Sequence, residues 1–135
     1  MRFVLTALIL LGGIAFTLNG VGFLVQPQSL APGFGLAADG APGWSTMRAD
    51  MTAFFLLGGV TMIWGAWKRN GDILLVPAAL FGTAFLGRTV SLFADGAYPG
   101  FWQPMLVEAL VTLATLIASR WLPQRVVPGA LQTDP

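Results

Sequence analysis

The sequence predicts an all-α protein, a bundle of four transmembrane helices with both termini on the cytoplasmic side. Its mean hydropathy is +0.75 and only 10% of its residues are charged, which sets it apart from soluble domains. Four apolar runs each reach the roughly 20 residues that a helix needs to cross a hydrocarbon core. Most connections between them are short and rich in glycine. We therefore expect residues 1–135 to form a single integral membrane domain.

The four helices are expected at the apolar runs 3–25, 47–67, 73–93 and 101–122. The first run is uncharged and longer than the apolar region of a signal peptide, so it predicts a retained helix. The second helix is expected to begin near Ser45 or Thr46, since either residue suits a helix N-cap. Asp50 then falls in the first turn, where the helix dipole favours an anion. Prolines and glycines predict one long outer loop, 26–46.

Basic residues indicate the orientation of this bundle. If the chain crosses four times, five of them fall on one side: Arg2, Lys68, Arg69, Arg120 and Arg125. The opposite side carries only Arg48, apart from Arg88 within the third span. Cytoplasmic loops carry the excess of Lys and Arg in membrane proteins. The pattern therefore predicts that both termini are cytoplasmic.

Polar residues recur at one depth in the four predicted helices. Counted along each helix, Asn19, Asp50, Arg88 and Glu108 all lie about 9–10 Å from the outer boundary. Burying a charge in lipid is costly, so we expect these side chains to face inward and Arg88 to pair with Glu108. Two further candidates flank this polar layer. Ser91 shares the face of Arg88, and Arg48 lies half a turn beyond Asp50 on another face.

Two interpretations of the polar layer are open at this point. It is either a structural ion pair that sets helix register, or part of a pocket for a small polar or lipid ligand. Five phenylalanines are candidates for the wall of a lipid or quinone slot, the alternative being that they only fill the core or face lipid: Phe54, Phe55, Phe81, Phe85 and Phe93. The loop 26–46 carries Phe34 and Trp44 and is expected either to cover the outer helix ends as a lid or to lie at the interface without gating.

Many kinds of chemistry are absent from the sequence. Cysteine and histidine do not occur, and no phosphate-binding or nucleophile motif is present, so we expect no catalytic residue, no cofactor and no metal. Asp50 and Glu108 remain an alternative as paired acid and base carboxylates. The net charge of +1 provides no basic patch for phosphates, which argues against a nucleic-acid partner.

Several short motifs stand out along the chain: the Arg48–Asp50 stretch, Gly58–Gly59, the block Gly87-Arg88-Thr89-Val90-Ser91, the Asp95-Gly96 turn and Glu108. Together they resemble the motifs of a small bacterial membrane family catalogued as domain of unknown function 4345. The resemblance extends from about Leu11 to Arg120. The chain departs from it after Arg48-Ala49, where members commonly carry a tyrosine and two glycines. The resemblance implies a protein of four membrane helices and no established activity. Since the family is bacterial, we expect the protein in the bacterial cytoplasmic (inner) membrane.

The sequence therefore predicts a non-enzymatic membrane protein that binds a small polar or lipid ligand or acts as an accessory or scaffold subunit. One alternative is an oligomeric transporter or channel subunit, and another is a lipid- or quinone-modifying enzyme. The expected partners are the lipid bilayer and either a second copy or a larger membrane complex. Small residues repeat every four positions along the third helix, a pattern used in helix packing within a chain and between copies. These are Ala79, Thr83, Gly87 and Ser91.

Overall fold

A computed structural model describes residues 2–123, and the described residues form helices and no strands. In chain order these are α1 (Arg2–Val25), α2 (Pro27–Leu30), a 3-10 helix (Ala31–Phe34), α3 (Gly40–Lys68), α4 (Leu75–Ala94) and α5 (Trp102–Trp121). Within this part of the chain, α1, α3, α4 and α5 are long and apolar enough to cross a membrane. Their positions agree closely with three of the four predicted runs.

The four long helices form an antiparallel bundle. α1 packs most extensively on α3, α4 packs on α5, and the contacts between α3 and α4 and between α1 and α5 complete the ring. The long connection between α1 and α3 and the turn between α4 and α5 lie at one end, the loop end. The start of α1, the end of α5 and the turn between α3 and α4 lie at the other, the termini end.

The prediction for the start of the second long helix is wrong. α3 begins at Gly40 rather than near residue 47, and its N-cap is Asp39, without a capping side-chain hydrogen bond. Ser45 and Thr46 lie within the helix. Pro42 and Gly43 indicate a loop by composition, yet both lie at the start of α3. Pro42 is the third helical residue, where a backbone N–H would have no partner within the helix, so the proline removes nothing. Gly43 donates to the carbonyl oxygen of Asp39 at 3.2 Å. Asp50 is consequently in the eleventh position of α3 rather than in its first turn.

The predicted loop 26–46 is also more ordered than its composition indicates. Pro27 begins α2 at a position where proline is tolerated, and Pro32 lies in the first turn of the 3-10 helix. Gly35 ends that helix in the left-handed conformation with φ of 67°. The segment packs on the bundle through buried Ala31 and half-buried Leu30. Irregular chain is thereby limited to a few residues before α3.

Apolar side chains fill the bundle in two clusters. At the termini end the buried residues are Ile9, Met62, Ala66, Leu74, Phe81, Ala118 and Leu122. Near the loop end Phe23 and Ala31 are fully buried against Phe55. Phe16 and Phe54 pack against both clusters. The termini end is therefore closed by tight packing, and the space described below lies nearer the loop end.

Glycines allow α1 and α3 to approach closely. A Cβ atom built at Gly59 would lie 2.7 Å from the carbonyl oxygen of Gly13 and 2.6 Å from the backbone nitrogen of Thr17. No side chain fits at that crossing. The small residues of α4 behave differently, because Ala79, Gly87 and the others of that repeat are exposed. They do not mediate packing within the chain.

Basic side chains are exposed at the termini end. Lys68 ends α3, Arg69 follows it with φ of 51°, and Arg120 lies in the last turn of α5. The side chain of Arg2, and Arg125 altogether, lie outside the described part of the chain. The structure contains no membrane, so the predicted cytoplasmic orientation of this end remains a prediction.

Candidate ligand-binding site

Arg88 of α4 and Glu108 of α5 form an ion pair inside the bundle. The Nε of Arg88 donates a hydrogen bond to Oε1 of Glu108 at 2.7 Å. Each residue lies six positions from the loop end of its helix, about 9 Å by helical rise. The pairing predicted from their common depth is therefore present. The helices bring the two groups together because α4 and α5 are adjacent and antiparallel.

The pair is asymmetric in burial and in hydrogen bonding. The Arg88 side chain is 39% exposed, whereas that of Glu108 is only 9% exposed. The second carboxylate oxygen, Oε2, is buried and has no hydrogen-bond partner among the described residues. An arginine is able to hold both oxygens of a carboxylate, but here it holds one. A buried acceptor is therefore available to a donor from outside the chain.

An apolar cavity of about 410 Å³ lies beside this carboxylate. Its volume falls within the range of about 300–1,000 Å³ that small-molecule sites occupy. We name it the phenylalanine cavity, and it is lined by Phe16, Phe34, Met51, Phe54, Phe55, Phe81, Ala84, Arg88, Pro104, Val107 and Glu108. Arg88 and Glu108 are the charged members of an otherwise apolar wall. The space therefore combines a long apolar surface with one polar end.

A second space of about 400 Å³ adjoins the first at the loop end. We name it the vestibule, and it is lined by Gly33, Phe34, Gly35, Arg88, Tyr98, Pro99, Gly100, Gln103, Pro104 and Val107. The two spaces share four lining residues, among them Arg88 and Phe34. The vestibule also offers the hydroxyl of Tyr98 and the amide of Gln103. It is the more polar of the two spaces and leads toward the loop end.

Phe34 lines both spaces. Its ring lies 5.2 Å from that of Phe23 and 5.4 Å from that of Phe55, in edge-on contacts, and the residue is 40% exposed. The 3-10 helix thus places an aromatic ring on the wall that the two spaces share. The two expectations for the segment 26–46, a lid or an interfacial segment without gating, stay predictions.

Two predicted members of the polar layer do not join the pair. The amide of Asn19 donates to the carbonyl oxygen of Ala15 at 2.9 Å, so its own helix satisfies it. Asp50 is exposed. It precedes buried Thr52 by two positions, about 200° around α3, and therefore faces away from the bundle. The similar depth predicted for these residues therefore did not determine in which direction their side chains point.

The remaining two candidates lie near the pair without bonding to it. The exposed Ser91 hydroxyl donates to Asp95 at the end of α4, and Ser91 borders a small cavity of about 50 Å³ with Arg88 and Tyr98. Arg48 is half-buried, forms no ion pair within the described residues, and has a buried Nε without a partner there. Of the six predicted residues, the structure thus joins Arg88 directly to Glu108 alone.

Several residues of the site are not indicated by the sequence pattern. Phe54, Phe55 and Phe81 do line the cavity, as one alternative expected, while Phe85 lies elsewhere and Phe93 is 86% exposed. Phe16 and Pro104 were not candidates, because nothing local distinguishes them from other apolar helix residues. Tyr98 follows α4 and faces Arg88 across the vestibule, which only the turn between α4 and α5 determines.

The side chains of the site offer hydrogen bonds, charge and apolar contact. Within residues 2–123, no group of three acidic side chains is placed to hold a metal ion. Glu108 accepts hydrogen bonds, Arg88 donates them, and the phenylalanine rings provide apolar contact. These features suit a molecule with a polar head and an apolar tail.

Comparisons with curated proteins and with solved structures found no match. The family described as Domain of unknown function (DUF4345) matches residues 4–119, a stretch that includes all four long helices nearly completely together with Arg88 and Glu108. The chain therefore belongs to the DUF4345 family.

Proposed function

We propose that this protein is an integral membrane protein that binds an amphiphile within its helix bundle. The apolar tail occupies the phenylalanine cavity, and a head that donates a hydrogen bond reaches Glu108. The observation that carries the proposal is that Glu108, whose buried Oε2 has no partner among the described residues, lines an apolar cavity of about 410 Å³. This is the binding interpretation of the predicted polar layer, without a catalytic role.

The energetics of Glu108 support a ligand with a donor group. A buried polar atom without a partner costs about 1–3 kcal/mol, and more when it is charged. A hydroxyl or amine from a ligand offsets that cost, whereas an apolar molecule does not. A carboxylate head is disfavoured, because its oxygens would face another acceptor of the same charge. We therefore assign the head to the neutral or cationic donors.

The shape of the site supports an amphiphile over a small polar solute. The wall beside Glu108 is formed by aromatic and aliphatic side chains, and the polar vestibule adjoins only one end of it. A small polar solute would leave most of that apolar wall facing water or the polar atoms of the solute, which is unfavourable. A single-chain amphiphile matches both ends.

The termini half of the bundle supports binding rather than transport. Four of its hydroxyl side chains donate to carbonyl oxygens of their own helix, namely Thr61, Thr112, Thr115 and Ser119. Phe81 and Met62 are packed beneath the cavity in the buried cluster. No polar route for a solute is therefore apparent among the described residues of that half.

The orientation with the loop end outside the cytoplasm forms part of the proposal. Exposed Lys68, Arg69 and Arg120 at the termini end support it through the excess of positive charge on cytoplasmic loops. In a bacterial cytoplasmic membrane, the vestibule then faces the outer leaflet.

Binding of 1-monooleoylglycerol, a neutral single-chain amphiphile with two hydroxyls, tests the proposal. Native mass spectrometry of the detergent-purified protein measures the bound fraction at increasing concentration. Ala84 is a half-buried residue of the cavity wall, and Ala84→Phe fills the space without changing any charge. We expect Ala84→Phe to weaken binding by about tenfold or more, equivalent to about 1.4 kcal/mol.

Ala79→Phe is the matched control, since Ala79 is an exposed alanine of the same helix. It is expected to bind 1-monooleoylglycerol as the unmodified protein does. Added apolar contacts in the cavity should leave the melting temperature of Ala84→Phe unchanged or raised. Equal binding by both variants, or no saturable binding by the unmodified protein, would contradict the proposed site.

A further inference from the structure

A groove of about 670 Å³ runs along the loop-end half of α3, on a side of the helix away from Arg88. Leu24 of α1 borders it on one side, and Trp44, Arg48 and Thr52 of α3 border it on the other. These α3 residues are spaced by four, so they share one face of the helix. Small residues such as Ala49 fill the turns between them. We name this surface the α3 groove.

Two polar atoms on residues that line the α3 groove are buried and have no hydrogen-bond partner among residues 2–123. They are Nε of Arg48 and Oγ1 of Thr52, and Thr52 is only 9% exposed. Other threonines of the bundle donate to a carbonyl oxygen of their own helix, namely Thr17, Thr61, Thr89, Thr112 and Thr115. No such bond is found for Thr52 among the described residues. The groove is thus lined by two residues one turn apart, each of which carries a donor atom without a partner in that part of the chain.

The α3 groove also carries an uncompensated positive charge. Arg48 has no carboxylate within ion-pair distance among residues 2–123. Asp50 is exposed, and at two positions from Arg48 it lies on a different side of α3. An occupant that satisfies this set must be an anion with several acceptor oxygens. Guanidinium groups bind phosphate oxygens well, with strong charge-assisted hydrogen bonds.

The position of Arg48 along α3 indicates a phosphate at a membrane surface. α3 has 29 residues and is about 43 Å long, more than the roughly 30 Å of a hydrocarbon core. Arg48 precedes Lys68 by about 30 Å of helix. With Lys68 at one boundary of the core, Arg48 lies at the other. Trp44 is one turn further, where aromatic residues contact lipid headgroups.

An exposed apolar track continues from the groove toward the membrane interior. Ala49 and Ala53 are exposed, and on the same face of α3 Leu57 and Val60 are 51% and 44% exposed. Small residues near the phosphate position leave room for a glycerol backbone, and the larger ones below contact an acyl chain. Along α3 the surface thus offers contacts for a phosphate, then for a glycerol backbone, then for an acyl chain, in the same sequence as in a phospholipid.

We propose that the α3 groove binds an anionic phospholipid, with Arg48 and Thr52 donating hydrogen bonds to its phosphate. This site rests on the proposed membrane insertion but shares no residue with the phenylalanine cavity. The two proposals can therefore fail independently, because each is tested with variants of its own residues. Ala84→Phe, for example, changes no residue of the α3 groove.

Native mass spectrometry of delipidated protein with dioleoyl-phosphatidylglycerol tests this site, and dioleoyl-phosphatidylethanolamine provides the zwitterionic comparison. We expect the phosphatidylglycerol adduct to be favoured by about tenfold, because both lipids offer a phosphate but the ammonium group of phosphatidylethanolamine offsets its negative charge and is repelled by Arg48. Arg48→Gln, which removes the charge but keeps a donor, should abolish this preference. Arg120→Gln, an exposed arginine at the termini end, is the matched control and should retain it.

Thr52→Val provides a readout that does not depend on charge. It removes a buried hydroxyl without a partner, so the melting temperature of delipidated protein should not fall and is expected to rise. The same variant should bind phosphatidylglycerol several-fold more weakly, since a donor to the phosphate is lost. A stabilised protein with weaker lipid binding is the combined result that supports the site.

Three outcomes would overturn the assignment. The first is that Arg48→Gln keeps the same lipid preference as Arg120→Gln. The second is that phosphatidylethanolamine binds as well as phosphatidylglycerol, and the third is that Thr52→Val leaves lipid binding unchanged. Inorganic phosphate is a competitor that separates the two sources of the anion. Displacement of phosphatidylglycerol by millimolar phosphate would identify a small-anion site and reject the lipid, whereas retention supports a contribution from the acyl chain.

Discussion

Arg88 holds only one of the two oxygens of Glu108. Its Nε donates to Oε1 at 2.7 Å, while Oε2 is buried beside the phenylalanine cavity without a partner among the described residues. A pair made only to set helix register would gain more from a two-bond contact. The geometry leaves one carboxylate oxygen of a cavity-lining residue without a donor among the described residues, and the proposed function follows from that oxygen.

The Arg88–Glu108 pair is expected to give a positive coupling in a double-mutant cycle. Arg88→Met leaves a buried carboxylate without its cation, and breaking a buried pair costs about 3–5 kcal/mol. Glu108→Gln is expected to cost less, because the amide is neutral. The double variant should recover part of the summed loss in melting temperature in detergent. Strictly additive losses would contradict direct pairing, and Arg120→Met serves as an exposed control.

Glu108 is expected to select the head of the bound amphiphile. Oleate and 1-monooleoylglycerol have the same acyl chain, but only the glycerol head donates hydrogen bonds at neutral pH. We expect 1-monooleoylglycerol to bind about tenfold more tightly than oleate. Glu108→Gln should narrow this difference, because its amide donates to a carboxylate. Asp50→Asn, which neutralises an exposed carboxylate of the same protein, should leave the ratio unchanged. Equal ratios in all three proteins would exclude Glu108 as the selecting group.

Two glycines are expected to differ sharply in their tolerance of alanine. A Cβ at Gly59 would meet the backbone of Gly13 and Thr17, so Gly59→Ala must push α1 and α3 apart, at about 1–3 kcal/mol. At Gly87 a Cβ meets no atom within 4 Å, and Gly87→Ala should leave the melting temperature unchanged or raise it. An equal loss at Gly87 would instead indicate that the exposed small residues of α4 pack against a second copy.

The proposed orientation predicts which end of the bundle an impermeant reagent reaches. The chain has no cysteine, so single cysteines introduce no background labelling. In intact cells with a permeable outer envelope, Ala37→Cys should react with a membrane-impermeant maleimide, because Ala37 is exposed at the loop end. Asn70→Cys, in the turn at the termini end, should react only after the cells are lysed. The opposite pattern would reverse the assignment of the two sides.

The four long helices and the Arg88–Glu108 pair are predictable from the sequence, for physical reasons that act locally. Apolar runs of sufficient length specify α1, α4 and α5 to within two residues at each end, because hydropathy is a property of the segment itself. The depth of Arg88 and Glu108 follows from helical rise alone. The cost of burying a charge then indicates that they must meet.

Direction and packing depended on the tertiary structure. The sequence predicts one depth for Asp50 and Arg88, but the rotation of α3 turns Asp50 outward, and that rotation is set by the contact between α1 and α3 at Gly13 and Gly59. The early start of α3 depended on position as well, because Pro42 disrupts a helix interior but not its first turn. Neither effect is visible in composition.

The phenylalanine cavity shows the same division between local and tertiary information. Its walls come from α1, α3, α4, α5 and the 3-10 helix, and residues as far apart as Phe16 and Val107 meet there. Hydropathy identified those side chains as apolar, and the charges of Arg88 and Glu108 marked the depth of the site. Which apolar side chains leave a space between them is decided by how five separate segments pack, since a void is a property of the neighbours on all sides.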